Sequence, residues 1–487
     1  MPEQYILGID QSTSGTKALL FAGGGRLAAR QDVPHRQLID ERGWVEQDPL
    51  EIYRNTLAAV RGVVEKAGAD KERILGVGVS NQRETALIWN RETGLPVYNA
   101  VVWQCARGEA ICRRLDLAGH AGRIKEVTGL HLSPYFSAAK LAWVLENVPG
   151  LEGQNLCCGT MDSWLLYKLC GEHKTDYSNA SRTQLFDLRR LEWSREICGL
   201  FGIDIATLPR VCDSNSLFGE TDFEGYLNRP VPVHGMLGDS HGALFGQGCH
   251  SPGMMKVTYG TGSSVMMNTG GEPAFSDKGV VTSIGWGMDG RVEYVLEGNI
   301  NYTGAVMKWV AELGLIESPK QAAELAAGAN PADQAYLVPA FSGLNAPYWD
   351  SEARAILCGM TRSTGRAEIV KAAEECIAYQ IADIVGVMSA ESHIPTGSLR
   401  VDGGPTRDAY LMQFQSDILG IPVLVPEVEE LSGMGPAYAA GIALGLYQKD
   451  EIFAGTGRRE YSPQMDEAAR TKKLAGWRHA VELTLSK

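Results

Sequence analysis

Residues 6–21, ILGIDQSTSGTKALLF, and residues 254–269, MMKVTYGTGSSVMMNT, share one design: two apolar runs joined by a hinge of Ser, Thr and Gly. Such a hinge presents successive backbone N–H groups and hydroxyls, the donor set that cradles phosphate oxygens. Asp10 closes the first run and offers a carboxylate to a magnesium ion through water, because Mg2+ keeps much of its hydration. Either segment alone is an ordinary hairpin with small polar turn residues. Two of them, roughly half a chain apart, can face each other across a cleft and hold a nucleotide polyphosphate. The chain has no GxxxxGK[ST] loop and no GxGxxG after a strand, so neither a P-loop nor a dinucleotide fingerprint is at work.

The elements that must position these hinges alternate between strand and helix. Residues 49–66 and 369–388 carry apolar side chains at helical spacing, and ILGVGVS at 74–80 reads as a buried strand. The first hinge is followed by the strand RLAARQDV, the second by VVTSIGWG and VEYVLEG. This pattern predicts an α/β protein of two duplicated domains, 1–245 and 246–487, with the boundary near Ala243 to Gly248. An apolar strand, VHGML, ends in Gly-Asp and places Asp239 at the mouth of the cleft between them.

Bulk properties narrow the partners. The 487 residues suffice for two large domains, and with 44% hydrophobic and 21% charged residues the composition is that of a globular protein. A net charge of −13 with no Lys/Arg block argues against nucleic acid. No apolar run reaches the length of a membrane span, and the start MPEQYILGID has no charged region followed by a cleavage site, so no membrane partner is expected. Ten scattered cysteines without CxxC, and nine histidines without ligand spacing, point to reduced thiols in the cytoplasm and no zinc. Asn179-Ala-Ser181 matches a glycosylation acceptor only by chance in such a chain.

Several longer blocks carry a family resemblance. YFSAAKLAWVLEN (135–147) fits the first signature of the FGGY carbohydrate kinases, and AILCGMTRSTGRAEIVKAAEE from Ala355 approaches the second, with Glu374 where an apolar residue is usual. SNQRET (80–85), NAVVWQ (99–104), NASRTQLFDL (179–188), VPAFSGLNAPYWD (338–350) and LRVDGG (399–404) are similar to blocks of the glycerol kinases within that family. The resemblance implies two actin-like (ribonuclease H-like) domains with a mainly parallel core sheet. It also implies ATP and Mg2+ in the cleft between them and transfer of the γ-phosphoryl to a hydroxyl of a small polyol or sugar. By motif, Asp239 is the general base, Arg83 and Glu84 hold substrate hydroxyls as donor and acceptor, and Trp103 and Tyr135 wall the substrate. Thr13, Ser14, Gly15 and Lys17 on the first hinge, with Thr261 and Gly262 on the second, would contact phosphates. Gly304 approaches the triphosphate, and Gly403, Gly404 and Asp408 form the adenosine side. Members are often dimers or tetramers, but no residue pattern here encodes an oligomer. Cleft closure is expected, to keep water from the nucleotide.

Departures from the glycerol kinase pattern are specific. Lys17 replaces an Arg, Pro405-Thr406-Arg407-Asp408 replaces Ala-Ser and Asn residues after the GG motif, and Cys105-Ala106-Arg107 replaces Asp-Arg-Arg after WQ. Ser240 stands for a Gln beside the general base, and Ser264 for a Phe that packs on the acceptor carbons. Both changes remove volume and keep polarity, which predicts a four- or five-carbon polyol or ketose acceptor. The alternative is a glycerol kinase whose pocket is refilled by His241 or Tyr302. A non-enzymatic ATP switch of the actin or Hsp70 kind is disfavoured, because it has no use for SNQRET, WQ and LGDS together.

Overall fold

The computed structural model describes residues 3–428, 430–454 and 457–486. Two mixed sheets form its centre. The first runs, edge to edge, Gly219–Thr221, Val231–Gly238, Ile74–Asn81, Tyr5–Gln11, Gly15–Phe21, Leu27–Pro34. The second runs Val281–Met288, Arg291–Ile300, Ser263–Gly270, Met255–Tyr259, Leu399–Gly403, Val423–Pro426, Arg458–Tyr461.

The two sheets repeat one plan. Each hinge joins an antiparallel pair, a third strand extends it antiparallel, and two strands lie parallel on its other side before an antiparallel edge. The mainly parallel sheet expected from the resemblance is therefore corrected to a mixed one. The physical reason is the hinge itself: a chain that reverses within a few residues can only pair antiparallel. In the second sheet the strand beside the hairpin is Arg291–Ile300, and Val281–Met288 forms the edge outside it.

Helices cover these sheets as their apolar spacing predicts. Asp48 caps Pro49–Ala67 by accepting from Leu50 N–H at 2.8 Å, and Gly68 ends the helix in the left-handed region. Its Ile52, Val60 and Val63 pack with Leu7, Ile9 and Val77 of the first sheet. Helix Arg366–Ser392 does the same for the second, bringing Val370, Ile377 and Ile381 against Val257, Val265 and Val401. Among the described residues no helix is long and apolar enough to cross a membrane, and all ten cysteines are free.

Helix Leu431–Ala443 comes from the end of the chain yet lies against the first sheet and helix Asp239–Gly246. The approach is backbone to backbone. A Cβ added at Gly78 would sit 2.3 Å from Pro436 C, and one at Gly235 would sit 2.0 Å from Pro436 O. The surrounding cluster mixes Leu19, Leu237 and Leu244 with Met266, Val295 and Met434, so the halves of the chain share a core.

Candidate active site

The chemistry-bearing residues gather at the carboxyl ends of the central strands, where open α/β sheets place their ligands. Asp10 and Ser80 sit opposite each other on adjacent parallel strands, and Asp239 follows directly on strand Val231–Gly238. SNQRET turns sharply out of its strand. Glu84 has φ +59, a left-handed conformation uncommon outside glycine, and the strain is characteristic of functional turns. Ser137 Oγ holds this turn by donating to Glu84 O at 3.1 Å.

A cavity of about 890 Å³ opens between the domains. Arg83, Glu84, Trp103, Tyr135, Asp239, Ser240 and Ser264 line one part of it. Thr13 and Ser14 of the first hinge and Thr261 and Gly262 of the second line another. The two parts are joined by a hydrogen bond, since Trp103 Nε1 donates to Thr13 Oγ1 at 3.0 Å. Trp103 and Tyr135 meet edge to face, with ring centroids 5.5 Å apart. A second cavity of about 450 Å³ is lined by Asp10, Lys17, Gly403, Gly404 and Glu430.

A chain of alternating charge runs from Asp239 through Arg83, Glu297 and Arg182 to Glu84. Asp239 Oδ1 lies 3.0 Å from Arg83 Nε. Arg83 Nη1 and Nη2 donate to the two oxygens of Glu297, each at 2.8 Å. Arg182 Nη1 sits 2.9 Å from Glu297, and Arg182 Nε donates to Glu84 at 2.6 Å. Burial alone would depress both guanidinium groups, but Glu297 and Glu84 hold Arg83 well above its ordinary value and keep Arg182 raised. Burial would likewise raise Glu297, and Arg182 and Arg83 bring it well below the usual carboxylate range.

Family models match nearly the whole chain: the FGGY carbohydrate kinase N-terminal domain over residues 5–246, and the C-terminal domain over 255–444. The chain belongs to the FGGY family of carbohydrate kinases. It is 45% identical to glycerol kinase 1 of Thermotoga maritima, covering 99% of this chain and 100% of that protein. It is 44% identical to the glycerol kinase of Symbiobacterium thermophilum over 99% of this chain and 98% of the relative. The crystal structure of Plasmodium falciparum glycerol kinase with ADP superposes with a TM-score of 0.94 at 33% identity, with 99% of each chain covered. The kinase is thus a phosphotransferase with an alcohol acceptor, built on the actin-like fold.

Three residues assigned to the nucleotide line neither cavity. Gly15 starts the second strand, where its carbonyl accepts from Ser12 N at 2.8 Å. Gly304 opens a helix, and its N–H donates to Gly260 O at 3.0 Å, which ties the helix to the second hinge. Asp408 caps helix Ala409–Leu419 through Leu411 N–H at 3.0 Å, so one of its oxygens is occupied by the kinase's own backbone. Lys17 reaches the cleft but is paired with Glu430 at 2.8 Å and lies 3.8 Å from Asp10. Gly403 is required: its φ is +99, and a Cβ there would meet Tyr259 O at 1.9 Å.

Of the two refilling candidates, Tyr302 lines the larger cavity and bonds Ser342 Oγ at 2.7 Å. His241 does not line it; it is fully buried and paired with Ser283 at 3.2 Å.

Asp10, which the sequence leads one to expect beside a magnesium ion, is a buried carboxylate. Burial pushes it up to about 6, Lys17 opposes that, and the negative charge of Asp239 adds to it. Such a carboxylate gains from a divalent ion beside it. Among the described residues no group of three His, Cys, Asp or Glu side chains could hold a metal, so an ion here needs ligands from a nucleotide and water as well.

Two departures from the family pattern meet. Glu374, only 2% exposed on helix Arg366–Ser392, is hydrogen-bonded to Asp408. Burial first, then the charge of Asp408, push Glu374 up to about 9, so it stays protonated at neutral pH. The unfolded chain releases this proton above the ordinary carboxyl value while the fold retains it. Stability is therefore lost progressively as pH rises toward 9. Glu374→Gln is expected to stabilise the protein more at pH 8.5 than at pH 5.5, by on the order of a few kcal/mol, read as a larger rise in melting temperature at the higher pH. Thermal unfolding of both proteins at the two pH values measures this; equal shifts would mean that another group titrates.

Proposed function

We propose that this kinase transfers the γ-phosphoryl of ATP to a terminal hydroxyl of glycerol. The observation that carries the reading is one cavity holding Arg83, Glu84 and Asp239 together with the tips of both phosphate hinges. Arg83 donates to and Glu84 accepts from the acceptor's hydroxyls, which holds a diol in one orientation. The reacting hydroxyl gives its proton to the Asp239 carboxylate as its oxygen bonds to the γ-phosphorus, and the bond to the β,γ-bridging oxygen breaks to release ADP. Thr13, Ser14, Thr261 and Gly262 present hydroxyl and N–H donors to the phosphoryl oxygens, where the transition state spreads its charge. Bound Mg2+, with Asp10 as its protein carboxylate, would neutralise phosphate charge. The two domains we assign, 1–245 and 246–487, close over the nucleotide in a cytoplasmic enzyme.

The four- or five-carbon acceptor predicted from Ser240 and Ser264 is not supported: relatives aligned over 99% of the chain are glycerol kinases. At both positions a hydrogen bond also stands in the site, from the side chain of Ser264 and from the backbone of Ser240. Ser264 Oγ donates to Glu297 at 3.2 Å, which places it in the charged network. Ser240 N–H donates to Asp239 at 2.6 Å, which fixes the base. A coupled ADP-release assay over glycerol, erythritol, ribitol, xylitol, xylulose, ribulose and dihydroxyacetone tests the reading. Glycerol is expected to give the highest kcat/KM; a longer polyol or ketose in first place would overturn it.

A further inference from the structure

Glu297 comes from the second sheet, yet both of its guanidinium partners, Arg83 and Arg182, belong to the first half of the chain. Its side chain is wholly buried; it does not line the 890 Å³ cavity that holds Arg83 and Asp239, but with Arg182, Trp103 and Tyr135 it lines another of about 730 Å³. An ionised carboxylate has about four acceptor positions. Here Arg83 Nη1 and Nη2 and Ser264 Oγ donate to three of them, and Arg182 Nη1 lies 2.9 Å from the same carboxylate as an ion-pair partner. Arg83 is different: it lines the cavity, and of its five N–H donors only two are taken by Glu297. A two-point pair of this kind fixes the plane of the guanidinium as well as its position.

The strand that carries Glu297 is itself anchored to the first domain. Tyr294 Oη donates to Leu188 O at 2.7 Å, and on the neighbouring strand Ile284 N donates to Ser181 Oγ at 3.0 Å. Ile284 and Tyr294 share an apolar cluster with Phe186 and Leu188. Glu297 therefore reaches Arg83 and Arg182 from a strand of the second sheet that is hydrogen-bonded to the first half of the chain.

We propose that Glu297 is a positioning residue for the acceptor: it sets the orientation of Arg83 directly and of Glu84 through Arg182, and it touches neither substrate. The proposal rests on reading the cavity as a polyol acceptor site. It predicts an asymmetric effect. Losing one charged partner reorients both arginines, so acceptor binding suffers while the phosphate hinges keep their form.

The test is steady-state kinetics of the full chain, wild type against Glu297→Gln and Glu297→Asp, using whichever acceptor the wild type prefers. Failure of the glycerol reading then shows in the wild type alone, and the proposal is judged on variant-to-wild-type ratios. Glu297→Gln is expected to raise acceptor KM by about 10–100-fold and to lower kcat, with ATP KM within about twofold. Glu297→Asp keeps the charge but shortens the reach, and is expected to lie between the two. An acceptor KM unchanged in Glu297→Gln, or a rise in acceptor and ATP KM by the same factor, overturns the proposal. Should Glu297→Gln fail to fold, Glu297→Asp decides alone, and an unchanged acceptor KM in it overturns the proposal.

Discussion

Asp239→Asn is expected to lower kcat by about 10²–10⁴-fold and to leave ATP affinity within about twofold. The substitution is nearly isosteric. Its oxygen still receives Ser240 N–H and still faces Arg83, contacts that lie at 2.6 and 3.0 Å in the native protein. An amide cannot take up the hydroxyl proton, so the loss falls on the chemical step. Single-turnover rates with saturating acceptor, beside calorimetric titration of ATP, separate the two quantities. A fall in kcat of less than about fivefold would remove Asp239 from the role of general base.

Arg182→Met should cost about 3–5 kcal/mol of stability, because it breaks a buried ion pair and leaves carboxylates without their cation. Arg182 is 1% exposed and touches both Glu84 and Glu297, so two negative side chains lose a partner at once. Burial, which Arg182 now offsets, would then push Glu297 toward its neutral form. Urea unfolding monitored by fluorescence measures the loss, and the same variant should show a raised acceptor KM. A cost below about 1 kcal/mol would show that Arg83 alone suffices to neutralise Glu297.

Much of this arrangement was legible in the sequence because it is local. The two hinges, the strand ending at Asp10 and the strand ending before Asp239 are patterns of a few residues, and period and turn chemistry expose them. The charged network is not local. Arg83 and Glu297 are 214 positions apart, and no periodicity marks two side chains that meet across separate sheets. Arg182 lies within NASRTQLFDL, where nothing in the local sequence gives it a task. Glu374 and Asp408 were each visible as departures, but only the fold brings them into contact. The expectation of a longer acceptor fits the relatives less well than glycerol, and a count of the volume lost at Ser240 and Ser264 leaves out the hydrogen bonds those positions make. Lys17 teaches the same lesson, since Glu430, which holds it, lies 413 positions along the chain.

The glycine seam bears on how the protein is made. Gly78 and Gly235 lie on strands of the first sheet, and both abut Pro436 of a helix that closes over them from near the end of the chain. A ribosome that has released the first sheet at Gly238 must add nearly two hundred residues before that helix emerges, about 10–40 s at about 5–20 residues per second. Throughout that interval the nascent chain shows an apolar face, with Leu19 and Leu237 around the glycines, whose native cover has not yet been made. Its natural cover is its own unfinished tail, so the enzyme's first half cannot complete itself until synthesis is almost over.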